Sequence, residues 1–243
     1  MSGHSKWATT KRKKGAIDAK RSKVFTKVAK LITIAARDGK SGDPNMNPSL
    51  RIAVDNAKAV SMPKENIERA IKRGIGGGEG GADLAEITYE AYGPNGAAIL
   101  IECLTDNKNR ALGEIKAVLS KAGGSLTSAG SVSYQFKKVG QFIIDETKNG
   151  LKGEDMEMVI IDSGAEDFAR EDDIYVVTCA FTDLNNVKHK LEESGVIIES
   201  AEAVQTPTSY VDIPEEKKES IERLLENLDD LDDVNNVYSN ANL

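Results

Sequence analysis

Cysteine, histidine and long apolar runs are all nearly missing from this sequence of 243 residues. The two cysteines, Cys103 and Cys179, lie far apart, each inside an apolar, strand-like run. That argues against a disulfide framework or a thiolate metal site, and both read as small buried hydrophobes. Only His4 and His189 supply imidazole. With no carboxylate or thiol cluster beside either at useful spacing, no acid–base constellation is apparent, so the reading is non-enzymatic and free of cofactor. No stretch approaches the roughly 18 apolar residues that a membrane helix needs. The opening MSGHSKWATTKRKK is positively charged but has no apolar segment behind it, so it does not read as a secretory leader, and the expected compartment is the cytoplasm. Aromatic residues make up 5%, with a single tryptophan, Trp7.

What is present is charge, unevenly placed. The formal net charge is −7 and the pI near 5.1, values that by themselves argue against a nucleic-acid partner. Residues 1–78, however, hold 18 Lys and Arg against 6 acids, a charge of +12, while the remainder holds 14 bases against 33 acids, a charge of −19. Within residues 1–37 the only acid is Asp18. Such a division is expected where one domain meets a polyanion and the rest must stay off it.

The periodicities divide the chain further. Residues 1–14 have none and read as a basic arm. A helix is expected over Ala16–Arg37, with Val24, Val28, Leu31, Ile32 and Ala35 as its core stripe and Lys23, Lys27, Lys30 and Arg37 on an adjacent one. Asn47-Pro48 and Pro63 each open a further helix. These bury Leu50, Ala53, Val54 and Ala57 in the second helix and Ile67, Ala70 and Ile71 in the third. Glu65→Arg69 and Glu68→Lys72 stand at the spacing of intrahelical pairs. Gly76, Gly78 and Gly81 satisfy G-x-G-x-x-G, but a helix precedes and a strand follows, the reverse of a dinucleotide fingerprint, so the segment reads as linker.

From there strands and helices alternate. Ile87–Tyr92 and the apolar run Ala97–Leu104, charged only at Glu102, flank a Gly93-Pro94-Asn95-Gly96 turn, and a helix over Asn107–Ala122 follows. Gln141–Gln205 reads β-α-β-β-α-β, the ferredoxin-like pattern. The pieces after it, a strand over Ser209–Ile213, a helix from Glu215 and a strand over Val234–Tyr238, cannot stand alone. The expectation is an α+β multidomain protein, a three-helix domain followed by two ferredoxin-like α/β domains: a basic helical domain with its glycine-rich linker (1–81), a discontinuous α/β domain (82–136 and 207–243), and a ferredoxin-like α/β domain inserted in it (137–206).

Several motifs in order then carry a resemblance: Gly3-His4-Ser5-Lys6-Trp7, Asp18-Ala19-Lys20-Arg21, Phe25-Thr26-Lys27, Asn47-Pro48, Met62-Pro63-Lys64-Glu65-Asn66-Ile67-Glu68-Arg69-Ala70, Thr105-Asp106-Asn107 with Asn109-Arg110, and Gly130-Ser131-Val132. The chain resembles the YebC family of bacterial proteins, related to a mitochondrial translational activator, over essentially its whole length. It departs from the usual pattern at Thr9-Thr10 and Ser22. The resemblance implies three domains, the third inserted in the second, and a transcriptional regulator that binds DNA, with a ribosomal role for some members.

The expected contacts to nucleic acid are Lys6, Trp7, Lys11, Arg12, Lys13 and Lys14 of the arm and Lys20, Arg21, Lys23, Lys27 and Lys30 of the first helix. Neutralising about six phosphates with such groups makes affinity fall steeply with salt. Trp7 is suited either to stacking on a base or to pinning the arm onto the helices. The acidic clusters Glu171-Asp172-Asp173 and Asp229-Asp230-Leu231-Asp232-Asp233 lack the spacing of a calcium loop and read as solvated loops, suited to repelling nucleic acid or to meeting a basic protein partner. No metal, membrane or small-molecule substrate is expected. Phosphate contacts do not distinguish polymers, so DNA and, in the alternative of a translation factor, ribosomal RNA both fit.

Overall fold

The computed structural model describes residues 18–76 and 84–243; the arm and the centre of the glycine-rich linker lie outside them, as do the side chains of residues 18–21. Three helices come first: α1 (Asp18–Asp38), α2 (Pro48–Ala59) and α3 (Lys64–Gly74). Their shared core is Ile32, Ala36, Leu50, Val54, Ala57, Met62, Ile67 and Ala70. The starts follow local chemistry. Asn47 caps α2 by accepting the Leu50 N–H at 3.1 Å and donates its own amide to the Ala35 carbonyl at 2.8 Å, tying α2 to α1. Pro48, at the first helical position, removes a donor that would have had no partner.

The core face of α1 differs from the expected stripe. Ile32 is fully buried, whereas Val24 and Leu31 are 38% and 37% exposed. The helix is turned so that Phe25, Val28, Ala29, Ile32 and Ala36 face α2 and α3. Ile34 points away from that core and packs with Leu84 and Leu104. Val28, Ile32 and Ala35 of the expected stripe join the core while Val24 and Leu31 lie outside it, because a helix buried on two sides has no single apolar stripe.

Two four-stranded antiparallel sheets make up the rest. The first has strand order β3-β1-β2-β9, with β1 (Ala85–Tyr92), β2 (Ala98–Thr105), β3 (Ser125–Thr127) and β9 (Val234–Ser239). Helices α4 (Lys108–Lys121) and α7 (Glu215–Asp229) bring Ile115, Leu119, Ile221, Leu224 and Leu228 into one core with Ile99, Ile101 and Cys103 of β2. The opposite face of β2 is also covered, Ala98 and Leu100 by Val132 and Tyr238 and Leu104 by Ile34. Burial on both faces explains why the run is apolar at every position but Glu102, whose carboxylate accepts from Asn236 and Tyr238.

The chain leaves this sheet after β3, builds the second, and returns with α7 and β9. The second sheet has order β5-β6-β4-β7, from β4 (Phe136–Asp145), β5 (Asp167–Glu171), β6 (Ile174–Ala180) and β7 (Ser200–Pro207). Helices α5 (Glu154–Asp162) and α6 (Leu184–Glu193) supply its core, with Met156, Ile160, Val187 and Leu191 against Phe142, Ile144, Tyr175 and Val177. This is the ferredoxin-like arrangement read from the sequence, with β7 starting later than expected. The strand expected over Ser209–Ile213 shrinks to β8 (Val211–Asp212). It pairs in parallel with β10 (Ala241–Asn242) and not with either main sheet.

One close approach fixes the helical unit. A Cβ on Gly74 would lie 2.3 Å from the Thr33 carbonyl oxygen and 2.8 Å from the Ala36 Cβ. Gly74→Ala gains about 1 kcal/mol in helix propensity. It must also push α1 and α3 apart, and overpacking against backbone costs about 1–3 kcal/mol. The clash dominates: we expect a net loss of stability on chemical denaturation, and a more stable variant would show that the two helices can separate at little cost.

Candidate nucleic-acid interface

Of the eleven residues expected to touch nucleic acid, the side chains of Lys23, Lys27 and Lys30 are described; Lys6, Trp7, Lys11, Arg12, Lys13, Lys14, Lys20 and Arg21 lie outside. The spacing of the three places them in one row along α1, as expected, but the row faces the protein itself. Lys23 Nζ donates to the Asp230 carbonyl at 2.9 Å. Lys27 Nζ donates to the Asp229 carbonyl and meets its carboxylate at 3.3 Å. Lys30 Nζ donates to the carbonyls of Leu104 and Asp232, each at 2.9 Å, and to Asp233 Oδ1 at 3.0 Å. Apart from Leu104 of β2, the acceptors sit where α7 ends, and a helix C-terminus carries partial negative charge that favours cations. Arg37, expected with them, donates to the Leu84 carbonyl and approaches Glu86 at 3.9 Å.

Asp233 is the centre of this contact. Its side chain is 3% exposed and also accepts from Arg110, with Nη2 to Oδ2 at 2.7 Å and Nε to Oδ2 at 3.0 Å. Burial alone would raise its pKa, but the hydrogen bonds and charges of Arg110 and Lys30 outweigh that and hold it below the ordinary carboxylate value. Arg110 is placed by the start of α4. Asn107 caps that helix by accepting the Arg110 N–H at 3.1 Å, and Asp106 meets the guanidinium at 2.9 Å.

The sequence reading missed a second basic face. Arg69, Lys72 and Arg73 stand at i, i+3 and i+4 on α3, all exposed. Lys40 is exposed on the neighbouring loop, where Gly42 lies against Ile71 and Ile75 of α3. Among the described residues none of the four is paired with a carboxylate. The expected pairs Glu65→Arg69 and Glu68→Lys72 do not form; Glu68 instead meets Lys64 at 3.6 Å. Assuming those pairs hid the face. A count of cations against acids on the outer half of α3 would have shown it.

Other singled-out residues have structural explanations. Glu90, 6% exposed, accepts the backbone N–H groups of Gly130, Val132 and Ser133 at 2.7, 2.6 and 3.0 Å. Burial pushes its pKa up, but these donors prevail and it lies below its usual value. The Gly130-Ser131-Val132 motif is thus a turn wrapped around a carboxylate. Cys103 and Cys179 are buried free thiols, pushed up by burial to about 12 and about 11. His189 is exposed beside Glu193 at 3.2 Å. No group of acids, histidines or cysteines among the described residues is arranged to hold a metal ion, and none of their helices is long and apolar enough to cross a membrane.

Two family models match the chain, the TACO1/YebC N-terminal domain over residues 5–77 and the TACO1/YebC second and third domain over 84–241. A protein of Bifidobacterium animalis subsp. lactis named "Probable transcriptional regulatory protein" is 47% identical over 240 residues, 99% of this chain and 94% of its own. A similarly named protein of Thermoanaerobacter pseudethanolicus is 46% identical over 243 residues, covering 100% and 98%. Among solved structures, that of a conserved hypothetical protein from Aquifex aeolicus superposes with a TM-score of 0.86 at 38% identity, covering 93% of this chain and 92% of that one.

Because Asp233 titrates below its unfolded value, its contribution is present at neutral pH and is lost as pH falls through its folded pKa, below the ordinary value of about 3.9. Asp233→Asn is expected to lose about 2 kcal/mol at pH 7, less than a fully buried pair because its partners reach water. Its stability should also fall less between pH 5 and pH 3 than that of the native protein. Equal acid sensitivity in denaturant titrations at the two pH values would count against this role.

Proposed function

The chain belongs to the TACO1/YebC family, and from that premise we propose that it is a non-enzymatic, cytoplasmic regulator of gene expression that holds DNA phosphates through its basic helical domain (1–81). The observation that carries this reading is the charge of +12 on residues 1–78 against −19 on the remainder. The names of its relatives support a regulatory role in general. Arg69, Lys72 and Arg73 of α3, without a carboxylate partner among the described residues, support an outward polyanion face, since salt-bridged lysines and arginines would have little left to offer a phosphate. The acidic domains (82–136 with 207–243, and 137–206) then keep the strand from wrapping the body and leave surface for protein partners.

Binding through counterion release has a measurable signature. Fluorescence anisotropy with duplex DNA should show affinity at low ionic strength, with log K falling linearly against log salt by about 0.9 per phosphate neutralised. Replacing Arg69, Lys72 and Arg73 together by Gln should flatten that slope by about 2–3. Removing residues 1–14 should flatten it independently. No binding in dilute buffer would sink the proposal, and an unchanged slope in both variants would show the contacts to be elsewhere. Ultraviolet cross-linking in cells identifies the polymer: recovery of ribosomal RNA without any enriched DNA site would replace the transcriptional role with one in translation.

A further inference from the structure

The row Lys23, Lys27 and Lys30 poses a conflict. It has the spacing and composition of a phosphate-binding surface, yet every one of its ammonium groups is occupied by the end of α7. Along α1 the three lie about 6 and 10.5 Å from the first, at 1.5 Å per residue. Opposite them stand oxygens of Asp229, Asp230, Asp232 and Asp233, backbone carbonyls and carboxylates together. Four acids within five residues, placed at a helix C-terminus, present a surface of oxygens to the lysines much as a phosphodiester strand does.

The rest of the seat beneath the helical unit is largely polar. Lys188 of α6 meets Asp55 of α2 at 2.7 Å. Asn56 exchanges two hydrogen bonds with the Ala201 backbone, at 3.1 and 3.4 Å. Among the described residues, apolar packing there joins Ile34 to Leu84 and Leu104, and Ile52 to the core of the second sheet. A contact held by ion pairs and carbonyl–ammonium bonds, with little apolar area, weakens with salt and yields to a competing polyanion.

We propose that the lysine row of α1 is a second phosphodiester-binding site, held in reserve beneath the acidic end of α7, which acts as its internal competitor. This rests on the reading of the helical domain as a nucleic-acid binder. The outward cations make the first contact with a strand. The row cannot serve the strand and the α7 terminus together, so full engagement lifts the helical unit from its seat and adds three phosphate contacts. In the closed form, affinity is reduced by the fraction of molecules that are open.

The test compares the full chain with five variants, using a duplex DNA and an RNA oligonucleotide as probes. Neutralising the competitor as Asp229→Asn, Asp230→Asn and Asp232→Asn, with Asp233 kept, should tighten binding by about tenfold if the open form is about a tenth of the population. Neutralising Glu154, Asp155 and Asp162 on α5 controls for the general loss of negative charge and should change affinity much less. Lys23→Gln with Lys27→Gln should weaken binding more in the neutralised background than in the native one, a coupling read as a double-mutant cycle. A dye pair at Lys64→Cys and Glu219→Cys, both exposed positions while the native thiols are buried, should lose energy transfer as the oligonucleotide saturates. If no variant binds either probe, the proposed function falls and this proposal with it. If binding persists but the two neutralised variants behave alike, or energy transfer stays constant at saturation, the reserve site falls and the proposed function stands.

Discussion

The placement of the helical unit depends on one buried carboxylate shared between two cations. Asp233 takes Lys30 on one oxygen and Arg110 on both, so α1, the start of α4 and the end of α7 meet at a single side chain. An ionised carboxylate at this depth is tolerable only because both partners stay in place. The backbone joins in, with the Leu104 N–H donating to the Asp233 carbonyl at 2.9 Å while the Leu104 carbonyl takes Lys30. Removing any one partner leaves the others wrongly solvated, which makes this junction a unit and not a set of independent ion pairs.

Around that junction the molecule divides its positive charge into two uses. The inward row on α1 contributes to domain placement. The outward cations of α3, with Lys40, have no such duty among the described residues. The same residue types at helical spacing therefore do different work depending on which side of a three-helix core they fall. Net charge of a region indicates what class of partner it suits, but not which cations are available to that partner.

Much of the fold could be read from the sequence because it is fixed locally. The Asn47 and Asn107 caps, Pro48, the turn at Gly93–Gly96 and the β-α-β-β-α-β run all act within a few residues of themselves. The apolar β2 was also legible as a strand. What could not be read was which element covers which. The face of α1 was read only in part, with Val24 and Leu31 placed in a core they do not join, because Ile34 belongs to a different core from Ile32, and the destination of the lysine row lies 202 to 207 residues away. Asp229–Asp233 was legible as an acidic loop, and a basic protein partner was one reading of it. Nothing local says that its basic partner is the same chain. Motifs such as Gly130-Ser131-Val132 and Asn109-Arg110 look functional in a sequence, and here they wrap Glu90 and hold Asp233.

The return of the chain to its first sheet has a kinetic consequence. The helical unit is built from local contacts and can form early, whereas its seat needs β9 to pair with β2 and α7 to pack beside α4. Such long-range pairings are slow to assemble. A chain in which those pairings have not yet formed leaves the lysines of α1 bare. Such a chain presents more positive surface than the closed, completed protein does.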